Sequence, residues 1–457
     1  MNPTRITVGV ICMLAVAAVP AAASRDPWAA GTPAFTYARP DGRVRVHFVT
    51  TTADAVLATD ADTSGVPDFV EEVAQRGDEV LARLSTAGFR APLTDGTLGG
   101  DDRLDLYLKN LAGADGAFEA DSCTDTPFHC VGYVIMENDF AGYSYPSASI
   151  GIRVLTSHEI FHAVQEAYDT DQPIAWTEGS AVWAEELIYP EQHDFEDLVS
   201  GFLAKPFRPF DRDGAGFGDP YPYGAGLWPY FLEARYSAGI VQAIWERCED
   251  QGSDPTFLTA TSDELVARDT TLERAWIEFT RWNARTNVRA DATSYPDGQR
   301  LALALRDPAV NAPGSGKVIV EGFSARYLPI RSVSTTSRIT VTGMRSIAVD
   351  VVATAGDVTI SRVGDDTKTT VHTFDIVPTT PTAELDVIVT GATIGGLQQE
   401  VSVAIAPYDP PEQATDAGCG CVSNRPDAGG ALLLAIATLL GRRRSVRRCR
   451  ARRRSGT

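Results

Sequence analysis

Histidine is scarce in this chain, at six in 457 residues, and cysteine is nearly as scarce at seven. So few cysteines over such a length exclude a small scaffold held together by disulfides. The apolar runs at the two ends, Ile6 to Val19 and Gly429 to Leu440, fall short of the ~20 residues of a membrane-spanning helix. Positive charge is short as well. Lys and Arg number 40 against 60 Asp and Glu, a formal charge of −20, and such an acidic surface argues against nucleic acid as a partner. No internal repeat is visible, which argues against a solenoid or propeller.

Against that scarcity, two of the six histidines fall in His158-Glu159-Ile160-Phe161-His162, an H-E-x-x-H run in a helical pattern. Histidines four apart on a helix leave from one face, about one turn along. Both imidazoles can reach one zinc ion, with Glu159 beside the place where a water would lie. A catalytic zinc takes a third protein ligand, and Glu178 follows His162 by sixteen positions. The text around it, Trp176-Thr177-Glu178-Gly179-Ser180-Ala181-Val182-Trp183, reads as a tightly packed helix start with Glu178 in the first turn. Asp169 to Pro173 reads as a turn that reverses the chain and sets Glu178 opposite the histidines. Glu185, Glu186 and His193 compete for the ligand role. Glu185 lies two turns beyond Glu178 on the same face, where it can also serve as a partner for a ligating histidine.

This H-E-x-x-H helix followed by a Glu-Gly-x-Ala helix resembles the gluzincin metallopeptidases, in which the Glu before that Gly is the third zinc ligand. Ser157 to Gln165, with Trp176, Glu178, Ala181, Trp183 and Glu185, is closer still to secreted metalloproteases of myxobacteria. The resemblance covers roughly residues 40 to 290 and implies zinc, a zincin-like fold and hydrolysis of peptide bonds in a protein or peptide substrate. The separation of His162 and Glu178 is a little shorter than in gluzincin aminopeptidases. In this chemistry zinc polarises the scissile carbonyl and acidifies its water, and Glu159 is the general base. Pro222-Tyr223-Gly224-Ala225-Gly226 resembles the aminopeptidase segment whose Tyr stabilises the oxyanion. Tyr223 is the candidate and Tyr221 the fallback; stacking in a Gly/Pro-rich loop is the alternative for either. Ile135-Met136-Glu137-Asn138 resembles the amine-anchoring run of the same enzymes without its leading Gly, since Val134 stands there. Val131 to Met136 also reads as a strand beside the site, and an edge strand there could pair with a peptide backbone. Endopeptidase is the default reading.

Asp60-Ala61-Asp62-Thr63-Ser64-Gly65-Val66-Pro67-Asp68-Phe69-Val70-Glu71 follows the EF-hand ligand rhythm. Asp60, Asp62, Ser64, Asp68 and Glu71 offer side-chain oxygens, and Val66 its carbonyl. Pro67 is unusual at that position, and the alternative to a calcium site is an acidic turn from which Pro67 or Asp68 starts a helix. Cys123 and Cys130 bracket a short loop that one disulfide could close in an oxidising compartment, and their spacing is wrong for a zinc ribbon. Cys248 is left over as a buried thiol.

Arg5, the apolar run after it and Ala21-Ala22-Ala23 form a secretory leader over residues 1–23. At the other end, Cys419-Gly420-Cys421, a polar spacer, the short apolar stretch and an arginine cluster resemble the MYXO-CTERM sorting signal. That resemblance implies cleavage near the Cys pair and display at the cell surface, on the outer membrane. Loss of Arg5, Arg425, the nine tail arginines and Asp427 would take the formal charge from −20 to −30.

Between the ends, two domains are expected. Residues 24–312 should form an α+β, zincin-like domain with helices over Asp68 to Ser85, Phe195 to Leu203, Gly226 to Tyr236, Val241 to Cys248 and Thr271 to Arg285. Residues 313–408, rich in Val, Ile and Thr, should form a small all-β sandwich. Residues 409–457 carry a linker and the sorting signal. The expected protein is a secreted, surface-anchored zinc metallopeptidase; the alternative is an adhesion or binding protein on a degenerate peptidase scaffold. Retention of Glu159 weighs against that alternative, because a binding module has no use for the base.

Overall fold

The computed structural model describes residues 25, 27–125, 128–212, 218–249, 253–363 and 370–409. The chain divides into Met1–Asp409 and Pro410–Thr457; the leader and the sorting signal lie outside the described residues.

The first unit opens with a five-stranded mixed sheet of β1 (Ala34–Tyr37), β2 (Val44–Val49), β3 (Leu104–Lys109), β4 (Gly116–Cys123) and β5 (Cys130–Glu137). Its order is β1-β2-β3-β5-β4, with β2, β3 and β5 parallel and the two outer strands antiparallel to their neighbours. The expected strand at Val131 to Met136 is therefore β5, but it is an inner strand and cannot offer an edge to a peptide. β4 holds the edge instead, because the chain turns back after Cys123 and β5 inserts between β3 and β4. A Cys123–Cys130 disulfide joins these two strands at the turn, and Cys248 is free and buried.

Helix α1 (Asp68–Thr86) carries Asp68 and Glu71 in its first turn and Arg83 in its last, each matched to the helix dipole. Phe69, Val70, Val73, Val80, Leu81 and Leu84 form its buried stripe, and Gly77 lets it ride against Val44 of β2. α2 (Ala148–Gln165) is capped by the Ser147 side chain, which accepts from Ile150 N–H. It is buried from Val154 to Gln165 without a polar face, as expected of a central helix. α3 (Ile174–Ile188) follows after the turn.

Glu178 is the fifth residue of α3, so it sits in the second turn and not the first. α3 lies close to α2, with Gln165 donating to Thr177 O and Ser180 Oγ, and Gly179 makes room for a second neighbour, because a Cβ there would come 2.9 Å from the Ala225 backbone. α4 (Asp194–Leu203), α5 (Tyr221–Gly224), α6 (Leu227–Arg235), α7 (Ile240–Cys248), α8 (Phe257–Val266) and α9 (Leu272–Ala284) complete the helical part. Trp176, Trp228, Trp245 and Trp276 are fully buried among them.

From β6 (Val310–Asn311) onward the elements are all strands: β7 (Gly314–Val320), β8 (Ser324–Val333), β9 (Ser337–Gly343), β10 (Ala348–Ala355), β11 (Val358–Val363), β12 (Val371–Pro378), β13 (Ala383–Gly391) and β14 (Gln399–Pro407). They form sheets β10-β13-β8-β6 and β11-β12-β9-β14-β7. Alternate residues of both sheets, such as Val318, Leu328, Val341, Phe374, Val387 and Val403, meet in one core. Phe323, Ala325, Tyr327 and Ile388 instead join the helical core. Tyr327 O–H donates to Thr280 O of α9 at 3.0 Å, and Arg289 and Arg306 converge on buried Asp386 of β13. The change in character near residue 312 is thus a change of secondary structure with continuous packing across it. Helices on a mixed sheet followed by a two-sheet part make the described residues α+β.

Candidate metal centre

Because α2 is buried on every side, His158 and His162 project into the protein interior, with 1% and 3% exposure. Glu178 enters from α3 and is fully buried. His158 Nε2 stands 3.2 Å from Glu178 Oε2, and His162 Nε2 stands 3.6 Å from the same oxygen. A tetrahedral zinc with bonds of 2.0–2.1 Å has ligand-to-ligand edges of about 3.3 Å, and the two edges to Glu178 fall near that length. His162 Nε2 and Glu178 Oε1 have no hydrogen-bond partner despite their burial. That is an expensive arrangement for polar atoms, and one that a cation among them would relieve.

The other ring nitrogens fix which lone pairs face inward. Gln165, one turn after His162, donates its amide N–H to Thr177 O at 2.8 Å and to Ser180 Oγ at 3.1 Å. Its oxygen is thereby turned to His162 Nδ1 at 2.8 Å, which must be the N–H donor. In the neutral ring Nε2 of His162 is then the lone-pair nitrogen, turned towards Glu178 and able to ligate. His158 Nδ1 lies 2.6 Å from Glu185 Oε1, so the same logic holds there. Glu185 is thus a partner of a histidine and not a ligand. Of the other competitors, His193 is exposed and pairs with Glu196 and Arg300, and Glu186 stands outside the His158, His162 and Glu178 group.

Burial alone would raise the Glu178 carboxyl, but the two imidazoles outweigh it and hold the group down to about 2. Glu185 is pushed up to about 8, chiefly by burial, with His158 acting against the rise. His158 moves well above the usual imidazole range; burial opposes this, and Glu178 and Glu185 prevail. Asp115 and Asp194 are also raised, by burial first, Asp194 to about 6.

Glu159 is fully buried and lies against the edge strand. A Cβ on Gly116 of β4 would come within 2.7 Å of Glu159 Cγ and Oε1. Tyr223, 9% exposed, stacks on His158 with ring centroids 6.1 Å apart. Tyr221, the fallback, is drawn elsewhere: it stacks on Phe202 and its hydroxyl faces Arg208 O at 3.3 Å. Glu137 is buried and already engaged. Its carboxylate accepts from Leu111 N–H at 2.8 Å and from Tyr143 O–H at 3.1 Å, so it pins the loop at Leu111.

Four nearby residues escaped the sequence reading. Gln165 had a usable signal, lying three residues after His162 on the same helix face. Asp115, Tyr145 (whose O–H donates to Asp115 at 2.7 Å) and Asp194 come from remote segments with no local motif.

Outside this centre, the acidic loop brings together carboxylate oxygens of Asp60, Asp62 and Asp68. Asp60 and Asp62 accept from Ser64 N–H, and Asp60 also accepts from Gly65 N–H. Ser64 Oγ lies 3.2 Å from Val66 O. Glu71, already on α1, stands outside that cluster.

No family model, no curated protein and no solved structure matches the chain.

Proposed function

We propose that this protein is a zinc-dependent metallopeptidase of zincin-like fold that cleaves peptide bonds in protein or peptide substrates. The observation that carries the reading is the convergence of His158 Nε2, His162 Nε2 and Glu178 Oε2 at 3.2 and 3.6 Å. Those three residues would hold the zinc, which when bound polarises a carbonyl and acidifies a water. The chain's own groups do the rest. Glu159 takes the proton of the attacking water and passes it to the leaving amine. Gln165 and Glu185 hold the imidazoles so that, as neutral ligands, they would present their inner nitrogens. Tyr223, stacked beside His158, is the donor for the developing oxyanion. β4 borders Glu159 and has a free side in the sheet, so a peptide laid along it in extended form would bring its carbonyls past the base. That geometry suits internal cleavage, and the engagement of Glu137 removes the carboxylate an aminopeptidase would use.

The decisive experiment is metal analysis with a peptide-library digest. Wild type should carry about one zinc per chain and cleave peptides. Glu159→Gln should keep the zinc and lose cleavage, and His162→Ala should lose both. Full cleavage by Glu159→Gln would remove the proposed base.

The acidic loop is proposed as a structural calcium site built on Asp60, Asp62 and Asp68, supported by their convergence. Secretion and surface display are proposed from the leader and the Cys-Gly-Cys, apolar and arginine pattern of the sequence alone.

A further inference from the structure

The edge strand β4 carries one residue more than its partner can pair. From Gly116 opposite Met136 to Ala120 opposite Gly132 it keeps one register with β5; past a bulge, Ser122 stands opposite Val131 and Cys123 opposite Cys130. Asp121 is the extra residue. The two registers turn the chain differently. Glu137 N–H donates to Asp115 O at 2.8 Å, so in the first register the odd-numbered residues Ala117 and Glu119 bond to β5, and Phe118 and Ala120 turn their peptide groups away from it. Thr124 N–H donates to His129 O at 2.8 Å, so in the second register the even-numbered residues face β5. The disulfide fixes that second register at Cys123. If the bulge moved from Asp121 towards Gly116, Ala120 would turn inward and Glu119 outward.

Arg25 grips the extra residue. Its Nε donates to the two carboxylate oxygens of Asp121 at 3.1 and 2.9 Å, and Nη2 also pairs with Asp121. Nη1 reaches Asp105 of β3 at 2.5 Å and pairs with Asp95. The guanidinium carbon lies 5.0 Å from the ring centroid of Tyr133 on β5. One side chain, 4% exposed, thus spans β3, β5 and β4. Behind it Trp28 donates to Leu108 O at 3.1 Å and holds the segment to β3.

We propose that Arg25 is a positioning residue that sets the register of the edge strand: its grip on Asp121 keeps the bulge there, and so keeps Phe118 and Ala120 turned towards a peptide laid along β4. The consequence for substrate rests on the peptidase reading; the register does not. The planar fork meets Asp121 with two nitrogens while a third reaches the other aspartates, which the single ammonium of a lysine cannot do.

The test is residue-resolved amide hydrogen exchange on the zinc-loaded full chain, comparing wild type with Arg25→Lys and Asp121→Asn. The first keeps a cation among the aspartates and the second removes one of them, so the fold should survive, as zinc content and slow exchange in β3 will verify. In wild type Glu119 should exchange slowly and Ala120 fast. In both variants Glu119 should exchange at least about tenfold faster and Ala120 more slowly. Peptide hydrolysis by the same preparations should show KM raised about tenfold and kcat changed by less than about threefold. Unchanged exchange at Glu119 and Ala120 in both variants would overturn the proposal. So would a loss of protection spread equally over β3 and β5, which a merely structural role would give. A wild type that cleaves no peptide would sink the peptidase reading and leave the exchange pattern to decide the register.

Discussion

Replacing Gly116 by alanine tests the relation between the edge strand and the base more sharply than removing the base itself. The new Cβ would stand 2.7 Å from both Glu159 Cγ and Oε1. Ordinary carbon contacts begin near 3.5 Å, so the Glu159 side chain must retreat by about 0.8 Å. Gly116 is not among the glycines of positive φ, so alanine fits the backbone and its pairing with Met136 can persist. The three ligand groups come from α2 and α3 and not from this strand. Misplacement of a reacting group by about 1 Å costs on the order of 10²-fold in rate, or about 2.7 kcal/mol of barrier. The expected variant therefore keeps about one zinc per chain, loses about 1–3 kcal/mol of stability to overpacking and turns over a quenched peptide about a hundredfold more slowly. Metal content, a melting curve and kcat measured on one preparation decide it. A variant with full zinc and wild-type kcat would refute the claim that Glu159 acts from its position against β4. Parallel loss of zinc would show that the strand supports the metal site and not the base.

Two further predictions follow from the same geometry and from the termini. Glu185→Ala and Gln165→Ala should each weaken zinc affinity by about 10–100-fold in competition with a chromophoric chelator; unchanged affinity in both would remove their proposed role in orienting the imidazoles. Intact-mass measurement of the surface form should find neither the leader before roughly Ser24 nor the arginines after Cys421; a surface form still carrying Arg442 to Arg454 would contradict processing while leaving the zinc chemistry untouched.

What was legible in the sequence was local. The helix expected over Asp68 to Ser85 runs Asp68–Thr86, and the one expected over Thr271 to Arg285 runs Leu272–Ala284, because periodicity and end charges act within a few residues. The same holds for the strand Val131 to Met136, found inside β5. His158, His162 and Glu178 were legible because two helices and one short turn bring them together. Sheet order was not. That β5 is inner and β4 the edge depends on which strand inserts beside β3, a long-range choice that strand pattern alone does not encode. Gly179 shows the same limit: its smallness signalled a close approach, but not that the partner was Ala225. Asp115, just before β4, and Asp194, at the start of α4, reach the centre from separate segments, and a lone Asp carries no sign of its destination.

The charge balance of the centre sets what the proposed zinc would have to replace. Glu178, Glu185, Asp115 and Asp194 are all buried or nearly so around two imidazoles, and among the described residues no Lys or Arg forms an ion pair with any of them. Two carboxyls of the same type have been driven apart: Glu178, facing two imidazoles, is held at about 2, while Glu185, facing one, is pushed up to about 8. Glu178 is therefore the group committed to being an anion in the dry interior. An anion so placed requires a nearby positive charge. The imidazoles supply one as imidazolium, and His158 accordingly moves well above the usual imidazole range. Ligation needs neutral imidazoles, so zinc bound at the proposed site would take the place of those protons and would itself supply the charge that Glu178 requires.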